Sequence, residues 1–493
     1  MHARAGSHVI SPTAPLTLRF SLLVTPVRDR RRGLFAHSSQ RYYHTKYSDW
    51  DPPTPAEVGR LGANVVTLHQ GNSLNPYINY PFFGNATAAL QRYINRMHAQ
   101  GKRVKLYFTT KELTSWATEL PLFRELGTEI VTAADTLNHR RGSSYLQEQL
   151  SNYAAAWCTH SVKGSRGGRA DLAFEDQALL VNGASRWCNY YVEGVRWVLR
   201  HLKLDGIYLD GIRFPREVSQ RLRHVFAAAA RARGGADTRA PLLDLHAGPN
   251  LRSFLEHTPY LDSLWVGENI EWGSGTPDYW LVAVSGLCWG LYSDMLGNAD
   301  KEADAMRGML FAMLARSGWA GSKPRENAKM WALWDDFGLG KAELIGWWEA
   351  ERPVTLKESG GATRDVVVTV YRRRGEAALV VIGSWRRMGS RVGLAVDWGA
   401  LGLTAATSRI SVYRAGQERA TDYGALDSLN VPAGGGVIVR IDGRNATGVS
   451  APRGKGRGVA RGARSTITRP PTFSRPTYSR GRSRGSSKPR VIQ

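Results

Sequence analysis

Residues 204–211 read LDGIYLDG, and this stretch narrows the possible architectures more than any other. Ile207, Tyr208 and Leu209 form an unbroken apolar run that stops abruptly at Asp210 and Gly211. A strand buried on both faces reads this way, because a parallel sheet carries helices on each side. A carboxylate at the C-terminal end of such a strand lies where (β/α)8 barrels assemble their active sites. The same Asp could instead cap the following helix. What the other strand ends contribute therefore decides its meaning.

The surrounding chain has the rhythm such a barrel needs. From residue 16 to about 340, strand-like and helix-like patterns alternate. Strands are expected at Leu18–Val27, then in NVVTLHQG ending at His69, and in RVKLYFTT ending at Thr110. The next are the Asp210 strand, PLLDLHAG with Asp244 and His246, LDSLWVGEN ending at Glu268, LCWGLYSDM, and KMWALWDDFG at 329–338. Helical periodicity in ATAALQRYINRMHAQG, YYVEGVRWVLRHLK and PREVSQRLRHVFAAAARA separates them. Eight strands with helical connections are the number that closes a barrel. The stretch 119–189, with its GSRGG segment, interrupts the rhythm and reads as an elaborated loop over the barrel mouth.

After the helix expected in KAELIGWWEAE the texture changes. VVVTVYRRR, AALVVIGSW, RVGLAVDW and GGGVIVRID are short strands separated by Gly and charge, as in a small antiparallel β-sandwich. Residues 446–493 hold 12 Lys and Arg with no Asp or Glu, so half of the net charge of +24 sits there. That composition cannot bury enough apolar surface to fold. The expected division is a disordered 1–15, a catalytic barrel at 16–350, a β-sandwich at 351–445 and a disordered basic tail at 446–493.

Three cysteines, Cys158, Cys188 and Cys288, match no zinc spacing. Neither a metal nor an organic cofactor is expected. No run of 18 apolar residues suggests a membrane span. Sixteen Trp suit a sugar-binding protein, although most are expected in the core. Compartment is not legible, and the chain starts close to the first expected strand, so a preceding segment is expected to be missing.

Glycosidic cleavage needs two carboxylates across one bond, one steadying or attacking the anomeric carbon and one moving a proton. Asp210 and Glu268 end the expected fourth and sixth strands and form the first-choice pair. Trp265 offers an apolar neighbour that would keep Glu268 protonated. Glu112 is the spare carboxylate and the second choice for the acid. Candidates for binding sugar hydroxyls or supporting the pair are His69, Asn75, Tyr77, Lys111, Arg213, Asp244 and His246, with Trp334 as an aromatic at the last expected strand. Arg213 closely follows Asp210 and could pair with a carboxylate and lower its pKa, or equally form a loop salt bridge. His246 could bind a hydroxyl or support Asp210.

NPYINYPF, YFTTKEL, SRWCNYYVEG, DGIYLDG, LLDLH, LDSLWVGENIEW, PDYWL and SGLCWGL together resemble glycoside hydrolase family 123, over about residues 20–340. The resemblance implies a (β/α)8 catalytic domain flanked by β-sandwiches and action on β-linked N-acetylgalactosamine. It further implies a substrate-assisted mechanism, in which an Asp steadies the attacking acetamido group while the adjacent Glu serves as acid/base. Here Gly211 follows Asp210, and no Asp-Glu dipeptide occurs anywhere. Only Asp210 carries over, and the acid must come from elsewhere.

The function expected from sequence is a retaining glycosidase acting on an oligosaccharide or glycoconjugate. Two alternatives stand beside it. One is a catalytically silent carbohydrate-binding protein on the same scaffold. The other is nucleic-acid or polyanion binding by the Arg/Gly/Ser tail, with Phe473 and Tyr478 as its aromatics.

Overall fold

The protein is described here from a computed structural model covering residues 11, 22–29, 34, 37–46, 50–82, 84–132, 155–161, 175–234, 240–247, 251–266, 270, 275–295, 302–313, 324–357, 365–415, 421–422 and 426–443. The basic tail, the GSRGG segment and Glu268 lie outside these residues. Among them, no helix is long and apolar enough to cross a membrane.

Seven parallel strands stand side by side in chain order: β1 (Tyr42–His44), β2 (Val65–Leu68), β3 (Arg103–Thr109), β4 (Gly206–Asp210), β5 (Leu242–Ala247), β6 (Ser263–Val266) and β7 (Ser293–Met295). Their side chains alternate between two apolar environments. Val66, Leu68, Val104, Leu106, Ile207, Leu209, Leu243, Leu245 and Leu264 face the surrounding helices and join the main core. Tyr42, Val65, Tyr107, Tyr208 and Trp265 face the other way and pack on one another inside the curled sheet. This two-sided burial explains the continuous apolar runs in β2–β6. Three helices on the outer face, α1 (Gly84–Ala99), α2 (Trp187–His201) and α3 (Arg216–Ala232), follow the expected periodic segments closely. A three-stranded antiparallel sheet follows β3: Glu112–Thr114 lies just before the expected interruption, and Ala155–Ser161 and Glu175–Leu180 lie within it.

Three expected elements are corrected. Leu22–Val27 is not a strand, and Leu22 and Val24 are exposed. The first strand is instead the short Tyr42–His44, whose tyrosines and histidine gave no apolar run to read. KMWALWDDFG is not the last strand but part of helix α4 (Pro324–Phe337). Its buried Met330, Trp331, Trp334 and Phe337 recur at helical spacing, and Gly338 at φ +72° stops the helix. KAELIGWWEAE is not helical either: it gives a single 3-10 turn and then the strand β8 (Glu343–Ile345).

β8 belongs to a six-stranded antiparallel sheet with β9 (Val366–Arg373), β10 (Ala377–Ser384), β11 (Arg409–Arg414), β12 (Thr421–Asp422) and β13 (Gly436–Asp442), in the order β8-β9-β10-β13-β11-β12. Two short ribbons, 354–356 with 394–396 and 390–392 with 429–431, cover one face and complete the sandwich. Val366, Val368, Val370, Val380 and Val439 point into that interior, whereas Val367, Tyr371, Leu379, Val381 and Ile438 join the barrel core. Both faces are covered, which is why these strands too read as unbroken Val and Ile. Tyr371 fixes the junction, donating its hydroxyl hydrogen to the Met309 carbonyl at 2.6 Å.

Lys105 and Asp244 form a fully buried ion pair within the barrel. Ser263 donates to the Asp244 carboxylate at 2.8 Å, and the Lys105 ammonium lies 4.7 Å from the Tyr42 ring centre and 5.6 Å from that of Trp265. Removing one partner strands the other charge away from water. Lys105→Met is therefore expected to cost about 3–5 kcal/mol in urea unfolding. Lys105→Met combined with Asp244→Leu should recover most of that loss, and a single variant as stable as the double would contradict this.

Candidate functional site

Strand ends β3, β4 and β5 bring the central residues together. Thr109 pairs with Asp210 in the sheet register, and Asp210 pairs with His246. Inward-facing side chains at these positions converge at the C-terminal end of the sheet. One Asp210 carboxylate oxygen accepts from His246 Nδ1 at 2.8 Å, and the other accepts from the Tyr107 hydroxyl. A carboxylate offers no proton, so the His246 ring carries its own on Nδ1. The His246 ring stacks on Tyr208 at 5.9 Å, and the His69 ring lies on Tyr107 at 4.0 Å. Rings packed beneath the carboxylate thus fix both of its donors.

Burial pushes the Asp210 carboxyl upward. The hydrogen bond and charge of His246, the Tyr107 hydroxyl and the nearby His69 outweigh it and bring the pKa to about 2. Arg213, read on sequence as a possible carboxylate partner, bears on Glu112. Its side chain is exposed, and its backbone N–H donates to the Thr110 hydroxyl at 2.9 Å. Tyr107 is driven well above 10, by burial first and then by Asp210, so it remains a donor.

Glu112 starts the strand that leaves the end of β3 and is fully buried. Neither of its carboxyl oxygens makes a full hydrogen bond among the described residues. Burial raises its pKa to about 7. The Thr109 hydroxyl, Lys111 and Arg213 pull it down, and the negative charge of Asp210 pushes it up. Its backbone is anchored by Asn79, whose amide donates to the Glu112 carbonyl at 2.6 Å and to Thr109 Oγ1 at 3.1 Å. Two carboxyl groups near neighbouring strand ends are thereby displaced in opposite directions, one held ionised and one still partly protonated at neutral pH.

The model of the glycoside hydrolase 123 TIM-barrel domain matches residues 34–318, and that of the glycoside hydrolase 123 C-terminal domain matches residues 326–442. The chain belongs to the glycoside hydrolase 123 family. It is accordingly a glycosidase, with a carbohydrate as substrate. No curated protein matches it by sequence. In fold it is similar to the noncanonic maltogenic α-amylase AmyB from Thermotoga neapolitana, with TM-score 0.51 and 7% identity over 82% of this chain and 99% of that one. It is similar too to an Anoxybacillus α-amylase, with TM-score 0.51 and 9% identity over 83% and 98% of the two chains.

Within this family 123 chain the remaining sequence candidates divide. His69 lies by the Asp210 cluster, and His246 supports Asp210 directly. Tyr77 is half-buried beside Trp116, with ring centres 6.0 Å apart. Lys111 is partly exposed next to Glu112. Asn75 is fully buried in the turn after β2, where its N–H donates to Asn72 Oδ1 at 2.9 Å, so it shapes the loop. Asp244 lies one inward-facing position deeper than His246 and is fully buried, paired with Lys105. Trp265 is buried with its ring 4.7 Å from Tyr42 and 5.0 Å from Tyr208, filling the barrel rather than walling its mouth. Trp334 is buried in α4 and donates from its indole to Met309 sulfur at 3.0 Å. Glu268 lies outside the described residues.

Sequence reasoning missed Tyr107. The signal was available, because Lys105, Tyr107 and Thr109 share one face of β3 by alternation. At position 211, where the family resemblance implies the acid/base Glu, the glycine has φ +74°, a conformation that disfavours any side chain.

Proposed function

We propose that this glycosidase cleaves O-glycosidic bonds with retention of anomeric configuration, Asp210 acting as the ionised carboxylate and Glu112 as proton donor. The observation that carries the proposal is the opposed displacement of the two carboxyl groups, Asp210 to about 2 and Glu112 to about 7. Environments that push two carboxyls apart in this way assign the acid and the base. Glu268, the sequence-based choice for the acid, is the competing donor, and Glu112→Gln and Glu268→Gln separate the two.

In this scheme Glu112 protonates the departing oxygen while positive charge grows at the anomeric carbon. Asp210 faces that charge with both oxygens already hydrogen-bonded, which favours electrostatic steadying over attack. A substrate with a 2-acetamido group could then supply its own nucleophile, and a substrate without one would need Asp210 to attack. Each route is a double displacement and retains configuration. Glu112 would next take a proton from water and return to its starting state.

A screen of 4-nitrophenyl α- and β-glycosides, N-acetylhexosaminides included, should identify a cleaved member. Proton NMR of the first-formed sugar should show the anomer of the substrate. Initial release of the opposite anomer would overturn retention. Sugar binding without any turnover would support the silent-binder reading instead.

A further inference from the structure

Resting on the glycosidase reading, we infer that Trp116 and Tyr77 form a stacking platform for a pyranose ring of the substrate beyond the sugar that is cleaved. Trp116 leaves 45% of its surface in water, while Tyr77 beside it is half-buried, their rings inclined at 31°. A single exposed aromatic is unremarkable on a protein surface. This one is set apart by where it stands and how firmly its backbone is held.

Trp116 follows the strand Glu112–Thr114, four residues beyond the proposed proton donor. Its N–H donates to Thr114 Oγ1 at 3.2 Å, and the next residue, Ala117, is buried and donates to the Thr114 carbonyl at 3.2 Å. Tyr77 is fixed equally well, directly before the buried residues Ile78, Asn79 and Tyr80. Asn79 ties that loop to Thr109 and Glu112, and Tyr80 ties it to Thr118 and Glu119, with its hydroxyl 2.6 Å from the Glu119 carboxylate. The loops after β2 and β3 are thus stitched together behind the two rings. An indole held open on a fixed backbone loses little freedom on binding. Its flat apolar face matches the C–H face of a pyranose, and the Tyr77 hydroxyl adds a polar edge for ring hydroxyls.

The test uses the full chain labelled with 5-fluorotryptophan, the Trp116 resonance being the fluorine signal missing from Trp116→Phe. Two probes are compared: 4-nitrophenyl β-N-acetylgalactosaminide, and a tetrasaccharide ending in the same β-linked sugar. The tetrasaccharide should shift the Trp116 resonance. Trp116→Ala should raise KM for the tetrasaccharide about tenfold and leave that for the aryl monosaccharide within about twofold, with Trp116→Phe in between. A silent resonance with unchanged KM, in a protein that hydrolyses either probe, overturns the platform and leaves the glycosidase mechanism standing. A shifted resonance without hydrolysis supports the platform and counts against the mechanism. Silence together with no hydrolysis of either probe overturns both.

Discussion

Asp210→Asn is expected to lower kcat by about three orders of magnitude or more, with the circular dichroism spectrum unchanged. The substitution keeps the shape of the side chain. Tyr107 can still donate to the amide oxygen, and the amide nitrogen can donate to His246 once that ring moves its proton to Nε2. What would disappear is the negative charge that the proposed mechanism sets against the anomeric carbon, in a partly buried site where charge is less well screened than in bulk water. KM should change far less, because that charge matters most when the sugar becomes cationic. Burst or single-turnover measurements on the cleaved aryl glycoside would separate the chemical step from binding. A variant retaining a tenth of wild-type turnover would remove Asp210 from the reaction.

The positioning residues give a smaller, graded version of the same effect. Tyr107 and His246 would act through Asp210; His246 was legible as a possible support for it, and Tyr107 was not. Asp210 announced itself because an apolar strand ends there. Tyr107 lies mid-strand among apolar neighbours, and its role becomes visible only when the β3–β4 register brings it to the Asp210 carboxylate. The barrel was legible for a related reason. Strands covered on both faces leave continuous apolar runs, so β2 to β6 were readable, whereas Tyr42–His44, with three polar-edged side chains, was not. The tryptophans misled in the opposite sense. Trp265 and Trp334 were read as site candidates from the strand ends they were expected to occupy, yet large aromatics are needed to fill a curled sheet and to seat a helix against its neighbours. Trp116, which no strand pattern marks, is the most open to water of the tryptophans among the described residues. Glu112 was legible only as a spare carboxylate. Its burial depends on Asn79 and the small antiparallel sheet packed against β3, contacts made by residues far apart in the chain.

Glu112→Gln is the variant that decides the proton donor. If Glu112 donates, the loss in kcat should be about 10²–10⁴-fold on a glycoside with a poor leaving group. It should shrink sharply on a 2,4-dinitrophenyl glycoside, whose departing oxygen needs little help. Glu268→Gln should then cost much less on the poor leaving group, and the reverse order would return the role to Glu268. The pH profile supplies an independent reading. The acid works only while protonated, so kcat/KM should fall as pH rises through about 7, the value to which burial lifts Glu112. Glu112→Gln should abolish that limb, while the acidic limb of Asp210, near 2, lies below the usual working range. Stability should respond with a definite sign. A carboxyl whose folded pKa stands above its ordinary 4.5 supports the fold fully below that value and loses its contribution as pH climbs through about 7. At pH 8 the wild type therefore holds a buried carboxylate that water would solvate better. Glu112→Gln should be more stable than wild type there, by on the order of 2–3 kcal/mol, and should show no such gain at pH 4. A catalyst that becomes both slower and more stable when one buried carboxyl is neutralised is keeping that group for its reaction, whereas a purely structural Glu112 would leave the basic limb of the pH profile in place.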